Sequence, residues 1–320
     1  MRGFLVLDKP AGPSSHDLVG ILRSLVGVKR VGHTGTLDPF ATGVLPLAIG
    51  GVTRLIQFLD EEHKVYQAEL ELGTATETGD PEGEVVESGP RVSLDQVDTV
   101  LQSFVGQVTQ RPPPYSAVKH KGRPLYAYAR EGTLIHGEPR QIQVHSMQLL
   151  PIGEVSNEQP QVVRFEVACS RGTYVRVLGV DIAKALGTVG HLRSLRRLAS
   201  GPFKIEQSID LPTLAEWACG TQDWATAFAR DRDVRLERRP REEWIHKLEP
   251  FLQAPETIFQ SWPVKECSEP EAKRTLQGVC PAPPPGVELG DRYRVVYQER
   301  LLALAHVLPR GPRLLRVLQP

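Results

Sequence analysis

An α+β fold built on a mixed, mostly antiparallel sheet is the class that this 320-residue sequence predicts. Three observations carry it. Residues 65–72 and 161–169 alternate apolar and polar side chains with the period of two that strands require. Residues 18–26 and 94–104 repeat apolar side chains every three to four positions, the period of a helix with one buried face. The two kinds of segment do not follow a regular βαβα order, which argues against a doubly wound parallel sheet.

Taken in order, residues 3–7 read as a short buried strand. Residues 9–15 form a turn, with Ser14 or Ser15 as the N-cap of a helix that places Leu18, Leu22, Leu25 and Val26 on one face. Gly27 stops that helix, and Lys29-Arg30 leads into a glycine-rich loop. Residues 44–49 are an apolar segment and 55–59 a short helix. In 65–72, Tyr66, Ala68, Leu70 and Leu72 share the apolar face. A polar loop follows over 73–89. Ser93-Leu94-Asp95-Gln96 is a capping-box pattern, opening a helix striped by Leu94, Val97, Leu101 and Phe104.

Residues 110–132 read as a rigid, proline-rich extended segment and then a short helix. Val163, Phe165, Val167 and Cys169 define one face of the next strand. Residues 170–176 turn into a helix that runs to Leu186 and stops at Gly187. A second, basic helix is expected over 191–198. Residues 205–258 read as helical connecting structure. From about 262 the pattern is a helix over 269–276, a proline-rich turn, and strands near 292–298, 301–307 and 313–318. The expected division is 1–258 and 259–320, the second part being a small separate β-rich domain.

A hydrophobic fraction of 40% and a charged fraction of 24% fit a globular protein. No apolar run approaches the ~18 residues of a membrane span, and the N-terminus lacks the pattern of a signal peptide. Cys169, Cys219, Cys267 and Cys280 are scattered, so reduced thiols in a cytoplasmic protein are expected, without a disulfide frame or zinc site. The formal net charge is +0. The distribution is uneven: residues 60–88 are strongly acidic, and residues 176–204 hold Arg176, Lys184, Arg193, Arg196, Arg197 and Lys204 against Asp181. A neutral chain with such a basic strip can hold phosphates on one face.

The run Gly32-His33-Thr34-Gly35-Thr36-Leu37-Asp38-Pro39-Phe40-Ala41-Thr42-Gly43-Val44-Leu45 places one carboxylate among small, rigid and apolar residues. Gly32, Gly35 and Gly43 permit backbone angles other residues avoid, and Pro39 biases Asp38 away from the helical region. Asp38 is therefore expected on a loop of fixed shape. A carboxylate in partly apolar surroundings is either an Asx-turn residue or a reactive group.

This run resembles the catalytic motif of the pseudouridine synthases of the TruB type, which modify the uridine of the tRNA TΨC loop. Further stretches carry the same resemblance: Lys9-Pro10 with Gly12 and Ser15; Tyr66 with Ala68, then Leu72-Gly73, Thr76 and Thr78-Gly79-Asp80; Gln110 to Lys119; and Cys169 to Arg176, continuing to Phe203. It covers roughly residues 3–205 and resumes weakly near 262, where the chain resembles the PUA module, an RNA-binding β-barrel. Ala183 stands where a glycine is usual.

The resemblance implies an enzyme that breaks the C1′–N1 bond of uridine, turns the uracil and rejoins it through C5, without cofactor or metal. Asp38 is then the ionised carboxylate, acting as nucleophile or base. Arg176 is the cation that holds it charged, through a bidentate fork. Tyr66 stacks on the flipped base and can move a proton. His33 meets RNA and helps hold the opened loop, while Lys9 and Arg193, Arg196 and Arg197 meet phosphates. The implied partner is the T-arm of tRNA, with no membrane, and the protein is expected to be a monomer. Two other readings stand beside it: a catalytically silent RNA chaperone, and a glycoside hydrolase. The latter needs a second carboxylate, and no second acid occupies a comparably fixed motif.

Overall fold

A computed structural model describes residues 1–59, 63–151, 161–231 and 233–318; Asp60, Glu61 and Glu62 of the acidic stretch lie outside them. Its frame is an 11-stranded sheet whose main path runs through strands Ser208–Asp210, Gly3–Lys9, Thr42–Ile49, Gly190–Ser200, Lys64–Leu72, Gln161–Cys169, Arg140–Leu149 and Gly106–Gln110. Parallel pairing joins Gly3–Lys9 to Ser208–Asp210 and Thr42–Ile49 to Gly190–Ser200; the other pairs in this sheet are antiparallel. The mixed, mostly antiparallel sheet expected from the alternation is thus the observed one. Lys64–Leu72 alternates buried and half-buried residues along its whole length, as its sequence dictates.

Both faces of this sheet are covered. Leu5 and Leu7 join the core formed with helices Ser15–Val26, Val97–Ser103, Val175–Ala185 and Leu211–Cys219. Phe4, Val6, Val44 and Ala48 point the other way, against Phe203, Phe259, Val296, Leu301, Leu304 and Leu318. Residues 4–7 of strand Gly3–Lys9 read as an uninterrupted apolar run because neither face meets water there. The second sheet contains strands Val264–Glu266, Arg292–Tyr297, Arg300–Leu308 and Gly311–Val317. Its central hairpin turns at Gln298 and Glu299, both with positive φ, the geometry that matches strand twist in a tight turn. This sheet has its own hydrogen bonds, yet it is docked on the back of the first through a shared apolar cluster.

Three local expectations need correction. Residues 191–198 are part of strand Gly190–Ser200, not a helix. Bulges between Leu192 and Ser194 and between Arg197 and Ala199 shift the phase of the strand. Buried positions therefore recur at a helix-like spacing of three, which imitates helical periodicity. The helix expected to open at Ser93 starts at Val97. Ser93 and Asp95 hydrogen-bond each other in the preceding turn, so the capping box does not form. In the glycine-rich run, Gly43 adopts positive φ while Gly32 and Gly35 do not.

The connecting region is more than a linker. Leu211, Leu214, Ala215, Ala218, Trp244 and Leu248 belong to the main core. The guanidinium of Arg241 lies against Gly27 and that of Arg239 against Gly220, the left-handed residues that close helices Ser15–Val26 and Leu211–Cys219. Cations suit these carbonyl-rich helix ends.

Gly43 has φ +98°, and a Cβ there would lie 2.2 Å from the carbonyl oxygen of Arg197, its parallel neighbour. Gly12 has φ +106° but nothing within 4 Å of its Cβ position. Gly43→Ala should therefore cost about 3 kcal/mol or more of unfolding free energy, and Gly12→Ala about 1 kcal/mol. Urea titrations of the two variants check this; equal losses would show that the close approach to Arg197 does not set the constraint.

Candidate active site

The loop after strand Val31–His33 leaves the sheet at Thr34 and rejoins it at Thr42. Its carbonyls have no ladder partners, so the surrounding side chains must satisfy them. Two fully buried cations do much of this. Lys9 Nζ donates to the carbonyls of Pro10, Pro39 and Ala41 at 2.9, 2.8 and 2.7 Å. Arg197 donates to the Gly35 and Thr36 carbonyls of the loop at 3.1 and 3.4 Å, and to that of Val44 in the following strand at 2.7 Å. Ser15 Oγ both donates to the Leu37 carbonyl and accepts from the Leu37 N–H. Burial pulls the Lys9 ammonium down to about 8, partly offset by the nearby Asp38 charge.

These contacts correct part of the sequence reading. Lys9 and Arg197 are internal struts of the loop and are not available to RNA phosphates. Arg196 forms a two-pronged pair with Asp8 at 3.0 and 2.7 Å and keeps 40% of its side chain exposed. Arg193 is exposed. A helix would have gathered these arginines on one face; the strand sends Arg196 and Arg197 to opposite sides.

Asp38 lines a cavity of about 380 Å³, with Tyr66, Arg176 and Leu195 also on its wall. Arg176 Nε donates to Asp38 Oδ2 at 2.9 Å. Its remaining nitrogens reach the Thr78 carbonyl at 2.9 Å and the Tyr115 carbonyl at 2.8 Å, and Nη1 lies 3.3 Å from Asp80 Oδ2. The expected bidentate fork on Asp38 is therefore a single hydrogen bond, because the guanidinium is shared among four residues on three segments. The Arg176 side chain is 4% exposed and that of Asp38 34%. The Asp38 carboxyl is held above the ordinary aspartate range because burial disfavours its charge; Arg176 opposes the shift and Asp80 adds to it.

Tyr66 projects from the buried face of its strand into this cavity, with 6% of its surface exposed. Burial raises its phenol above its ordinary value, and Arg197 opposes that rise. Asp38, Tyr66 and Arg176 are thus brought together from three distant segments. His33 stands just outside, on the strand preceding the loop; the cavity wall begins at Thr34.

Sequence reasoning missed several participants. Asp80 is a second fixed carboxylate, 4% exposed, contrary to the expectation that none existed. It accepts from Thr78 Oγ1 at 2.5 Å and from the Glu82 N–H at 3.1 Å, facing Arg176 and not the cavity. The Thr78-Gly79-Asp80 turn was its signal. Arg140, Arg171 and Tyr174 form another part of the cavity wall. Arg140 stacks over the Tyr174 ring at 4.9 Å and donates to the Gly172 carbonyl.

Comparison with known proteins places this geometry in a family. Residues 23–175 match the model of the TruB family pseudouridylate synthase N-terminal domain. Residues 176–239 match the tRNA pseudouridylate synthase B C-terminal domain. The chain is 48% identical over 220 residues to "tRNA pseudouridine synthase B" of Geobacter sulfurreducens, covering 68% of this chain and 70% of that protein. It is 37% identical over 311 residues to the Burkholderia lata protein of the same name, covering 95% and 86% of the two chains. A solved structure described as a Cbf5-Nop10-Gar1 complex superposes with a TM-score of 0.69 at 25% identity, covering 99% of this chain and 85% of that one. The chain belongs to the TruB family of pseudouridylate synthases.

Proposed function

We propose that this protein isomerises the uridine at position 55 of the tRNA TΨC loop to pseudouridine, with Asp38 as the reacting carboxylate. The observation that carries this reading is that Asp38, fixed by Arg176, lines the same cavity as Tyr66. The names of the relatives supply the tRNA substrate class. The bottom-up chemistry agrees: cleavage of C1′–N1 and closure of C1′–C5 exchange one carbon bond for another. That exchange needs no electron or phosphoryl acceptor.

In this reading the target uridine is turned out of its stack into the cavity. Asp38 must be ionised to attack the sugar or remove a proton from it, and Arg176 maintains that state against burial. Tyr66 supports the base through its ring face. Deprotonation at C5 completes the product, so a tritium label at C5 is released. The protein acts as a monomer on the T-arm, without a cofactor. Residues 1–258 form the catalytic part and 259–320 an RNA-binding part.

Asp38→Asn keeps size but removes the charge. It should reduce turnover at least about a hundredfold while tRNA binding survives. Tritium release from C5-tritiated tRNA, measured beside a filter-binding assay, checks both halves; turnover above about one per cent of wild type would exclude Asp38 as the reacting group.

Arg176→Lys retains charge but cannot span Asp38, Thr78, Tyr115 and Asp80 together. A loss of about a hundredfold in kcat is expected. Near-normal single-turnover rates would refute the shared-guanidinium arrangement.

The pH profile follows from two groups. Asp38 is raised, so its charged form is lost at a higher pH than for a free aspartate, placing the acid limb above 3.8. Burial pulls Lys9 down to about 8, and above that pH it loses one of its three donated hydrogen bonds, two of which hold the loop at Pro39 and Ala41. Activity should fall on both sides, and Lys9→Met should flatten the alkaline limb at a lower overall rate. An unchanged alkaline limb in Lys9→Met would remove Lys9 from the explanation.

A further inference from the structure

A second, larger cavity of about 980 Å³ opens beside the first, and Arg171 stands in the wall of both. It separates the end of the main sheet, at His145 and Arg171, from the docked second sheet, at Trp262 and Arg292. Its features are those of a single-stranded nucleic-acid path. The Arg292 guanidinium stacks over the half-buried Trp262 indole at 5.7 Å. On the opposite wall the His145 ring lies 4.4 Å from that of His63 between centroids, tilted by 40°. Arg171 and Arg292 are both exposed. The acid in the groove, Asp291, turns its carboxylate to the Glu288 N–H at 2.9 Å, within its own turn.

A uridine inserted beside Asp38 has neighbours on both sides, and one of them must leave the cavity across its rim. Arg171 marks a rim that leads directly into this groove. Aromatic rings and a guanidinium at its two walls suit an unpaired base, and the rim arginine suits the connecting phosphate. We infer that the groove takes a nucleotide flanking the target in the RNA strand, its base against the Trp262–Arg292 stack and its phosphate on Arg171. This rests on the RNA-modification reading above. It gives the docked second sheet a contact close to the chemistry, alongside whatever it touches farther out.

The test uses T-arm hairpins carrying an abasic residue at each position flanking the target, with dissociation constants from fluorescence anisotropy and product from tritium release. Trp262→Ala should raise Kd about tenfold on the intact hairpin, the size of a lost base–aromatic stack, and Trp262→Phe should restore part of it. On the hairpin whose abasic residue removes the stacked base, Trp262→Ala should add no further loss. Trp262 also touches Phe259, at 5.3 Å between rings, so thermal unfolding is followed in parallel. Arg292→Ala, at an exposed position, should raise Kd without lowering the unfolding midpoint. Losses from Trp262→Ala and every abasic substitution that simply add would overturn the inference. So would Kd values unchanged in both Trp262→Ala and Arg292→Ala, the result expected if a protein occupies the groove. Tight RNA binding by a wild-type protein that releases no tritium would instead overturn the proposed function and leave the groove assignment standing.

Discussion

The Arg176 guanidinium is the contact on which the arrangement of the site depends. It is almost entirely enclosed, and its donors reach Asp38, Thr78, Tyr115 and Asp80. A buried cation of this kind is tolerable only when its donors are satisfied and its charge is met. Two carboxylates and two carbonyls do that here. The same requirement works in reverse: each of the three segments, the Asp38 loop, the Thr78–Asp80 turn and the Tyr115 segment, is positioned by the nitrogen it faces. Lysine would retain the charge and lose this four-way geometry.

A similar logic holds the loop that carries Asp38. Lys9 and Arg197 are buried beneath it, and they donate to the Pro39, Ala41 and Gly35 carbonyls, which lie outside the strands. The loop is thus rigid for an electrostatic reason, with glycine needed chiefly at Gly43, where the Arg197 backbone leaves no room for a Cβ. Three cations surround one loop in a chain with formal net charge +0. Bulk charge said little about the site, because these cations are spent on internal partners and not on the surface.

The main sheet connects the loop that carries Asp38 to the rest of the molecule. Its helix-covered face carries the larger core, and its other face receives the second sheet. The segment between residues 205 and 258 contributes core side chains and places Arg239 and Arg241 against two helix ends. Docking of the second sheet also creates the groove that adjoins the active-site cavity at Arg171. One packing decision therefore serves stability and shapes the surface next to the chemistry.

The sequence by itself determined the elements whose pattern is local. Strand Lys64–Leu72, strand Gln161–Cys169, the helix ended by Gly27 and the helix Glu269–Leu276 all follow from periodicity and caps that act within a few residues. The loop position of Asp38 and the family were legible too, because Pro39 and the surrounding motif lie in one uninterrupted run. Tertiary structure decided what depended on distant partners. Bulges turned the apparent helix at 191–198 into a strand, and burial converted Lys9 and Arg197 from expected phosphate contacts into loop struts. Arg176 lies 138 residues from Asp38 and 98 from Thr78, so the division of its hydrogen bonds is invisible to any local pattern. Residue type announces that a cation is present; only the folded surroundings decide whether its charge meets water, RNA or the protein's own backbone.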